Sequence, residues 1–434
     1  MEYTHRRERR LPPELLRKIL NCFPSPYQTP LDEDAFLDLM AFSMVCYEWY
    51  NVARWLISDM VLKEHFPRLI NSSGEKLRRF AALLSTSRTL SLGYTTHLTN
   101  SIITFEFGID IDLQDRDALF KIADLGAPMR LRIIVEYSER RSSPSLDREL
   151  FLSRLSQHCS HIPGLELYFP RKRGSNHVRP PSDSPHLANF VRSMHSTLSS
   201  ININDEPDAM TRAALSSCPN VRVAAFRRCN PRSVWDMLCG SRNLREITLC
   251  RLFDPVGTGV EDDDSSELGG DDDDTTMALS GTEILFKRLS FICMNFEVLE
   301  ITSMRSVAEE TSRLAMALEI LVSCSRRLKR LSLSRVQYVD QRVIQAVAQH
   351  CQELESLEVH LTGVAIMWDE VTPSWPRLRN LNLSADRFGP EFVEQIVGPC
   401  DALQMLRLKS TSVWNPREAL ERRGFRLVNG QWER

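Results

Sequence analysis

A six-residue pattern, L-x-x-L-x-L, returns four times in the second half of the chain. It occurs at Leu328–Leu333, Leu354–Val359, Leu378–Leu383 and Leu403–Leu408, so the first positions are 26, 24 and 25 residues apart. A fixed period of this size constrains the fold more than any local propensity does. One such unit has an apolar side that it cannot bury alone, so neighbouring units must stack into a solenoid. The result is an extended surface, better suited to holding a macromolecule than to small-molecule chemistry.

Looser copies precede the clear four. Phe296-Leu299-Ile301, Leu244-Ile247-Leu249, Val221-Ala224-Phe226, Leu198-Ile201-Ile203 and Ile162-Leu165-Leu167 fit the template, and Ser87-Leu90-Leu92 fits it weakly. A helical spacing of apolar residues comes before each copy: Val343, Ile344, Val347 and Ala348; Leu314, Ala317, Leu318 and Leu321; Ile284, Leu285, Leu289 and Ile292; Phe392, Val393, Ile396 and Val397. Earlier helices are expected over 187–194, 210–215, 150–155 and 119–125. Each unit therefore reads as helix, corner and short strand. Stacked units give a mixed α/β fold, a right-handed solenoid with a parallel sheet on its inner curve. Its spacing is that of leucine-rich repeats.

Strand alternation sends the motif leucines to the core and the residues between them to the concave face. Candidate target-binding residues are Arg330, Ser332, Glu358, His360, Asn380, Asn382, Arg407 and Lys409, with Glu246, Thr248 and Cys250 further back. The polarity of this face fits a protein-binding surface. It also fits any solvated sheet face.

The chain has 434 residues, 11 cysteines and a formal net charge of −3. That balance gives no overall attraction to nucleic acid. No apolar run is long enough to span a membrane and no secretory leader follows Met1–Arg10, so a cytoplasmic or nuclear protein is expected. The cysteines then read as thiols. Cys159, Cys218, Cys293, Cys351 and Cys400 lie three residues ahead of a motif, and Cys324 lies four ahead. A small, soft side chain at a recurrent corner explains them by packing.

The cysteine-then-leucine corner resembles the leucine-rich repeats of F-box proteins. The N-terminus resembles the F-box itself. Leu11-Pro12 opens a helix with Leu15, Ile19 and Leu20 on one face, and Val45-Cys46-Tyr47-Glu48-Trp49 matches the family's Val-Cys-x-x-Trp element. Proline suits a first helical turn, and Glu14 suits its positive end. Three short amphipathic helices are expected, the second around Phe36, Leu37, Leu39 and Met40. The stretch Pro24–Asp34 is longer than the family usually has. The resemblance implies that Leu11, Pro12, Leu15, Ile19, Leu20, Val45, Cys46 and Trp49 contact a Skp-type adaptor, which joins a cullin–RING ubiquitin ligase core. It implies a substrate receptor without catalytic residues, cofactor or metal. A helical cap on the first repeat, as solenoids require, is the alternative reading of the same helices.

The expected organisation is an F-box over 8–60, a solenoid over 76–412 and a C-terminal cap over 413–434. Residues 254–276 hold ten acidic and no basic residues, an insertion expected to be a solvated loop. It reads as a tether for a basic partner, a phosphorylation target at Ser265 and Ser266, or an insertion without a role. Arg171-Lys172-Arg173 and the basic run from His5 to Arg10 read as a nuclear address or as chance. Asn429-Gly430 between Leu427-Val428 and Gln431-Trp432 predicts a terminal hairpin. No phosphate-binding glycine loop, H-E-x-x-H or G-x-S-x-G occurs. His158-Cys159 and His350-Cys351 resemble a nucleophile beside its base, but both fall at the repeat corner.

Overall fold

The computed structural model describes residues 14–15, 18, 32–45, 47–53, 57, 59–90, 102–107, 113–126, 130–135, 145–169, 185–252, 280–304, 311–336, 339–360, 365–366, 375–385, 387–388, 395, 397–410 and 416–434. The chain forms two compact units, Met1–Glu166 and Leu167–Arg434.

In the first unit, α1 (Glu33–Ser43) is capped by Asp32, whose carboxylate accepts the Ala35 N–H at 2.7 Å. Glu33 and Asp34 stand in its positive first turn. The short α2 (Tyr47–Ala53) follows, then α3 (Asp59–Ile70) and α4 (Glu75–Thr89). Phe36, Phe66 and Phe80 are fully buried. The Phe36 ring stacks on His65 at 4.6 Å between centroids and meets Phe66 edge-on at 6.3 Å. Phe66 meets Phe80 edge-on at 5.0 Å, which ties α1, α3 and α4 into one core.

Beyond α4 come β1 (Ile102–Phe107), α5 (Leu113–Gly126), β2 (Arg130–Val135), α6 (Ser145–Cys159) and β3 (Gly164–Tyr168). Strands β1 and β2 pair in parallel. Asp115 of α5 is buried with both oxygens answered, by the Gly74 N–H at 2.7 Å and by Arg78 at 2.7 Å. The expected weak copy at Ser87-Leu90-Leu92 is corrected here. Ser87 is buried inside α4, and Leu90 is its exposed C-cap. Leu77, Phe80, Ala81, Leu84 and Ser87 share a buried helical face, and that period overrides a chance pair of leucines.

The second unit alternates helix and strand. Its elements are α7 (Pro185–Ser193), β4 (Ser200–Asn204), α8 (Ala209–Ser216), β5 (Val223–Arg227), α9 (Pro231–Leu238), β6 (Glu246–Cys250), α10 (Gly281–Leu289), β7 (Val298–Thr302), α11 (Thr311–Cys324), β8 (Arg330–Ser334), α12 (Gln341–His350) and β9 (Ser356–His360). Then come β10 (Ala365–Ile366), β11 (Asn380–Ala385), β12 (Arg387–Phe388), β13 (Met405–Ser410), α13 (Arg417–Arg422), β14 (Arg426–Val428) and β15 (Gln431–Glu433). The sheet of this unit runs β4-β5-β6-β7-β8-β9-β11-β13-β15-β14. Every pair from β4 to β13 is parallel and matches motif position to motif position.

Register explains the core. Ile201, Ala224, Ile247, Leu299, Leu331, Leu357, Leu381 and Leu406 form one buried row, with exposures of 1% or less. Each large aliphatic side chain taken from water contributes about 1.5–3 kcal/mol. The corner before each strand is closed by shared carbonyls. The Glu297 carbonyl accepts from Lys329 and Arg330 at 2.9 and 3.0 Å, and the Lys329 carbonyl accepts from Glu355 and Ser356 at 2.8 and 3.0 Å.

The terminal hairpin forms as its sequence predicts. Asn429 (φ 50°) and Gly430 (φ 78°) make the left-handed turn between β14 and β15. β15 adds antiparallel to β13 and brings a buried Trp432 against Leu406. The acidic stretch 254–276, the basic loop at 171–173 and most of the helical pattern at 392–397 lie outside the described residues. Among the described residues, no helix is long and apolar enough to cross a membrane.

Candidate binding face

Residues one, three and five of each strand leave the core on the open side of the second unit's sheet. The eight candidates named from sequence all stand there. Arg330 is level with Ser356 and Asn380; Ser332 with Glu358, Asn382 and Arg407; His360 with Ser384 and Lys409. The structure links four of them. The Ser332 hydroxyl donates to Glu358 at 2.9 Å, and the Asn382 amide donates to its other oxygen at 2.9 Å. His360 Nε2 lies 3.8 Å from the same carboxylate. Further along that row, Thr248 donates to Glu300 at 3.3 Å. Glu358 is thus a polar hub held by its neighbours' side chains, a level, pre-oriented acceptor on an otherwise mixed surface.

A second line of residues was missed in the sequence. The residue after each strand from β4 to β8 is left-handed: Asp205 (φ 77°), Arg228 (φ 58°), Arg251 (φ 52°), Ser303 (φ 57°) and Arg335 (φ 57°). The turn lets its N–H reach the strand-end carbonyl of the next unit. Asp205 donates to Arg227, Arg228 to Cys250, Arg251 to Thr302 and Ser303 to Ser334, all at 2.8–2.9 Å. The conformation costs a non-glycine residue about 1–2 kcal/mol. The signal lay in the alignment of repeats: each residue sits two places after the last motif apolar residue.

The corner thiols are packing groups. Cys159, Cys218, Cys351 and Cys400 are fully buried. Burial pushes the Cys159 thiol up to about 12, with Asp124 adding to the shift, and Cys218 and Cys400 up to about 11. Cys351 Sγ faces the Val322 and Ser325 carbonyls, each at 3.8 Å. His158 is engaged by Asp124 at 2.8 Å. Cys324, four residues ahead of its motif, is exposed. Ser325 takes the buried corner place and donates to the Leu321 carbonyl at 2.7 Å. Among the described residues, no group of three His, Cys, Asp or Glu side chains could hold a metal ion.

Of the residues matched to the F-box, Leu15 is helical and 43% exposed, and Val45 is 62% exposed. Trp49, on α2, is half-buried with its ring 4.1 Å from that of Phe42. Leu11, Pro12, Ile19, Leu20 and Cys46 lie outside the described residues.

No family model matches the chain, and no curated protein matches it. Among solved structures, a leucine-rich-repeat protein of Leptospira interrogans is 13% identical with a TM-score of 0.35. That match covers 77% of this chain and 66% of the other, slightly under two thirds of its length. A protein from Bacteroides fragilis is 12% identical with a TM-score of 0.36, over 77% of this chain and 85% of the other. Both scores lie below 0.5, so the leucine-rich-repeat architecture rests on the spacing, register and burial described above.

Proposed function

We propose that the chain is a substrate receptor of an SCF-type ubiquitin ligase. The N-terminal helices dock a Skp-type adaptor, and the open sheet face of the second unit holds a protein target. The observation that carries the adaptor half is the exposure of Leu15 and Val45, two large apolar side chains in the segment that resembles an F-box. The chain itself contributes proximity. It raises the effective concentration of a target lysine near a charged conjugating enzyme, and the transfer chemistry sits on other subunits.

The test is co-expression with a Skp-type adaptor and size-exclusion chromatography of wild type and Leu15→Asp/Trp49→Ala. A complex formed by the wild type and lost in the variant supports the proposal. A folded wild-type chain that elutes free of adaptor overturns it.

One observation favours a second reading, a non-catalytic repeat scaffold whose first helices serve only as a cap. Phe36 of α1 is part of the core it shares with α3 and α4. In that reading the double variant loses thermal stability and no adaptor complex forms with either chain.

A further inference from the structure

Arginines at and just after the strand ends form a row of charge that no side chain among the described residues answers. Arg227 ends β5, and Arg251 and Arg335 follow β6 and β8. All three side chains are exposed, and among the described residues none makes a hydrogen bond or an ion pair. Arg251 and Arg335 hold a strained conformation that glycine or asparagine adopts more easily; for Arg251 the turn serves the backbone bond to Thr302, and the arginine side chains add nothing to it. Arg228 differs: it donates to Asn204 at 3.0 Å and to Asp205 at 2.6 Å, so its charge is already matched. Among the described residues, two carboxylates that follow strand ends are engaged as well. Glu206 binds Arg212 at 2.6 Å and Asp340 binds Arg342 at 2.9 Å.

We infer that this rim of the second unit binds an acidic, extended peptide segment of the target protein. Adjacent strands are about 4.8 Å apart, so Arg227, Arg251 and Arg335 span about 14 Å. An extended peptide covers that length in about four or five residues at ~3.3 Å each. Alternate acidic side chains of such a segment fall within reach of successive guanidinium groups, which take carboxylate or phosphate oxygens in bidentate pairs. A flat sheet face admits a protein strand lying across it. The inference deepens the target-binding half of the proposed function and rests on that reading. It is independent of adaptor docking.

The test is fluorescence anisotropy of a labelled glutamate–glycine alternating decapeptide with the full chain. The comparison variant is Arg227→Ser/Arg251→Asn/Arg335→Asn, since asparagine tolerates the left-handed turn. The expected result is binding that weakens steeply with added salt and falls about tenfold or more in the variant, whose melting temperature is unchanged or higher. Equal binding by both proteins overturns the inference. Tighter, arginine-dependent binding of oligouridylate than of the peptide also overturns it, in favour of a nucleic-acid partner. Because no adaptor is present, failure here leaves the adaptor experiment to decide the F-box reading separately.

Discussion

The indole N–H of Trp375 donates to the Val347 carbonyl at 3.3 Å, from the corner place that cysteine fills in other units. Ser241 does the same in its own unit, donating to the Cys218 carbonyl at 3.3 Å. Cys351 points its thiol at Ser325. The column is therefore chosen for two properties at once. It fills a buried corner, and it offers a further donor to backbone carbonyls of the preceding repeat; the Val347 carbonyl also accepts the Cys351 N–H at 3.0 Å, and the Ser325 carbonyl the Leu328 N–H at 3.1 Å.

Trp375→Ala removes both properties. It should destabilise the second unit by about 3–5 kcal/mol, mainly from the cavity, since the Val347 carbonyl keeps the Cys351 N–H. Urea unfolding followed by hydrogen exchange on α12 measures it. A loss of less than about 1 kcal/mol would show that the corner relaxes around the missing ring.

Gly240 allows a close approach. A Cβ there would run into the Ser216 carbonyl oxygen, a backbone atom unable to swing aside. Gly240→Ala should lower stability by about 2 kcal/mol or more, as an overpacked core site does. A melting temperature equal to wild type would mean that the backbones at Gly240 and Ser216 move apart easily.

Thiol chemistry should sort by burial. With iodoacetamide near neutral pH, the exposed Cys239 and Cys324 should label first, and Cys159, Cys218, Cys351 and Cys400 only on unfolding. The raised thiols also set an alkaline limit. Below the ordinary value of 9.0 both folded and unfolded states keep the proton, so the stability is fully present. Above it the unfolded thiols ionise first, and stability falls as pH rises toward about 11. Mass mapping that finds Cys218 labelled as fast as Cys239 would contradict this packing.

His65 sets a limit on the acid side. Its imidazole is 3% exposed against Phe36, and its Nδ1 has no hydrogen-bond partner. Burial holds its pKa below 6.5, with Arg68 acting in the same direction and Glu64, Glu33 and Asp32 opposing. The unfolded chain therefore takes up a proton that the folded one resists. The stability present above the ordinary value is lost as pH falls below it. Hydrogen-exchange protection factors in α1 and α3, corrected for the intrinsic rate, should fall on acidification, and His65→Phe should flatten that response. An identical pH profile in the variant would assign it to another group.

The left-handed arginines join stability to binding. Arg251→Asn should raise the stability of the second unit by a few tenths to about 1 kcal/mol, because asparagine tolerates the turn. A fall in melting temperature would show that Arg251 is held by something besides the fold.

The leucine spacing by itself determined the helix–strand unit, the buried rows through Leu331 and Leu357, the polar face carrying Glu358 and the hairpin at Asn429-Gly430. These follow from periods of 2 and 3.6 and from turn chemistry, which act within a few residues. The sequence left β1, β2, α3 and α4 unread, because their apolar residues answer partners far along the chain. Only the tertiary structure decided that Ser325 replaces Cys324 at the corner, that Ser332 and Asn382 converge on Glu358, and that Arg251 and Arg335 share one rim. Each depends on the register between units, where side chains 23 to 52 residues apart meet at strand spacing.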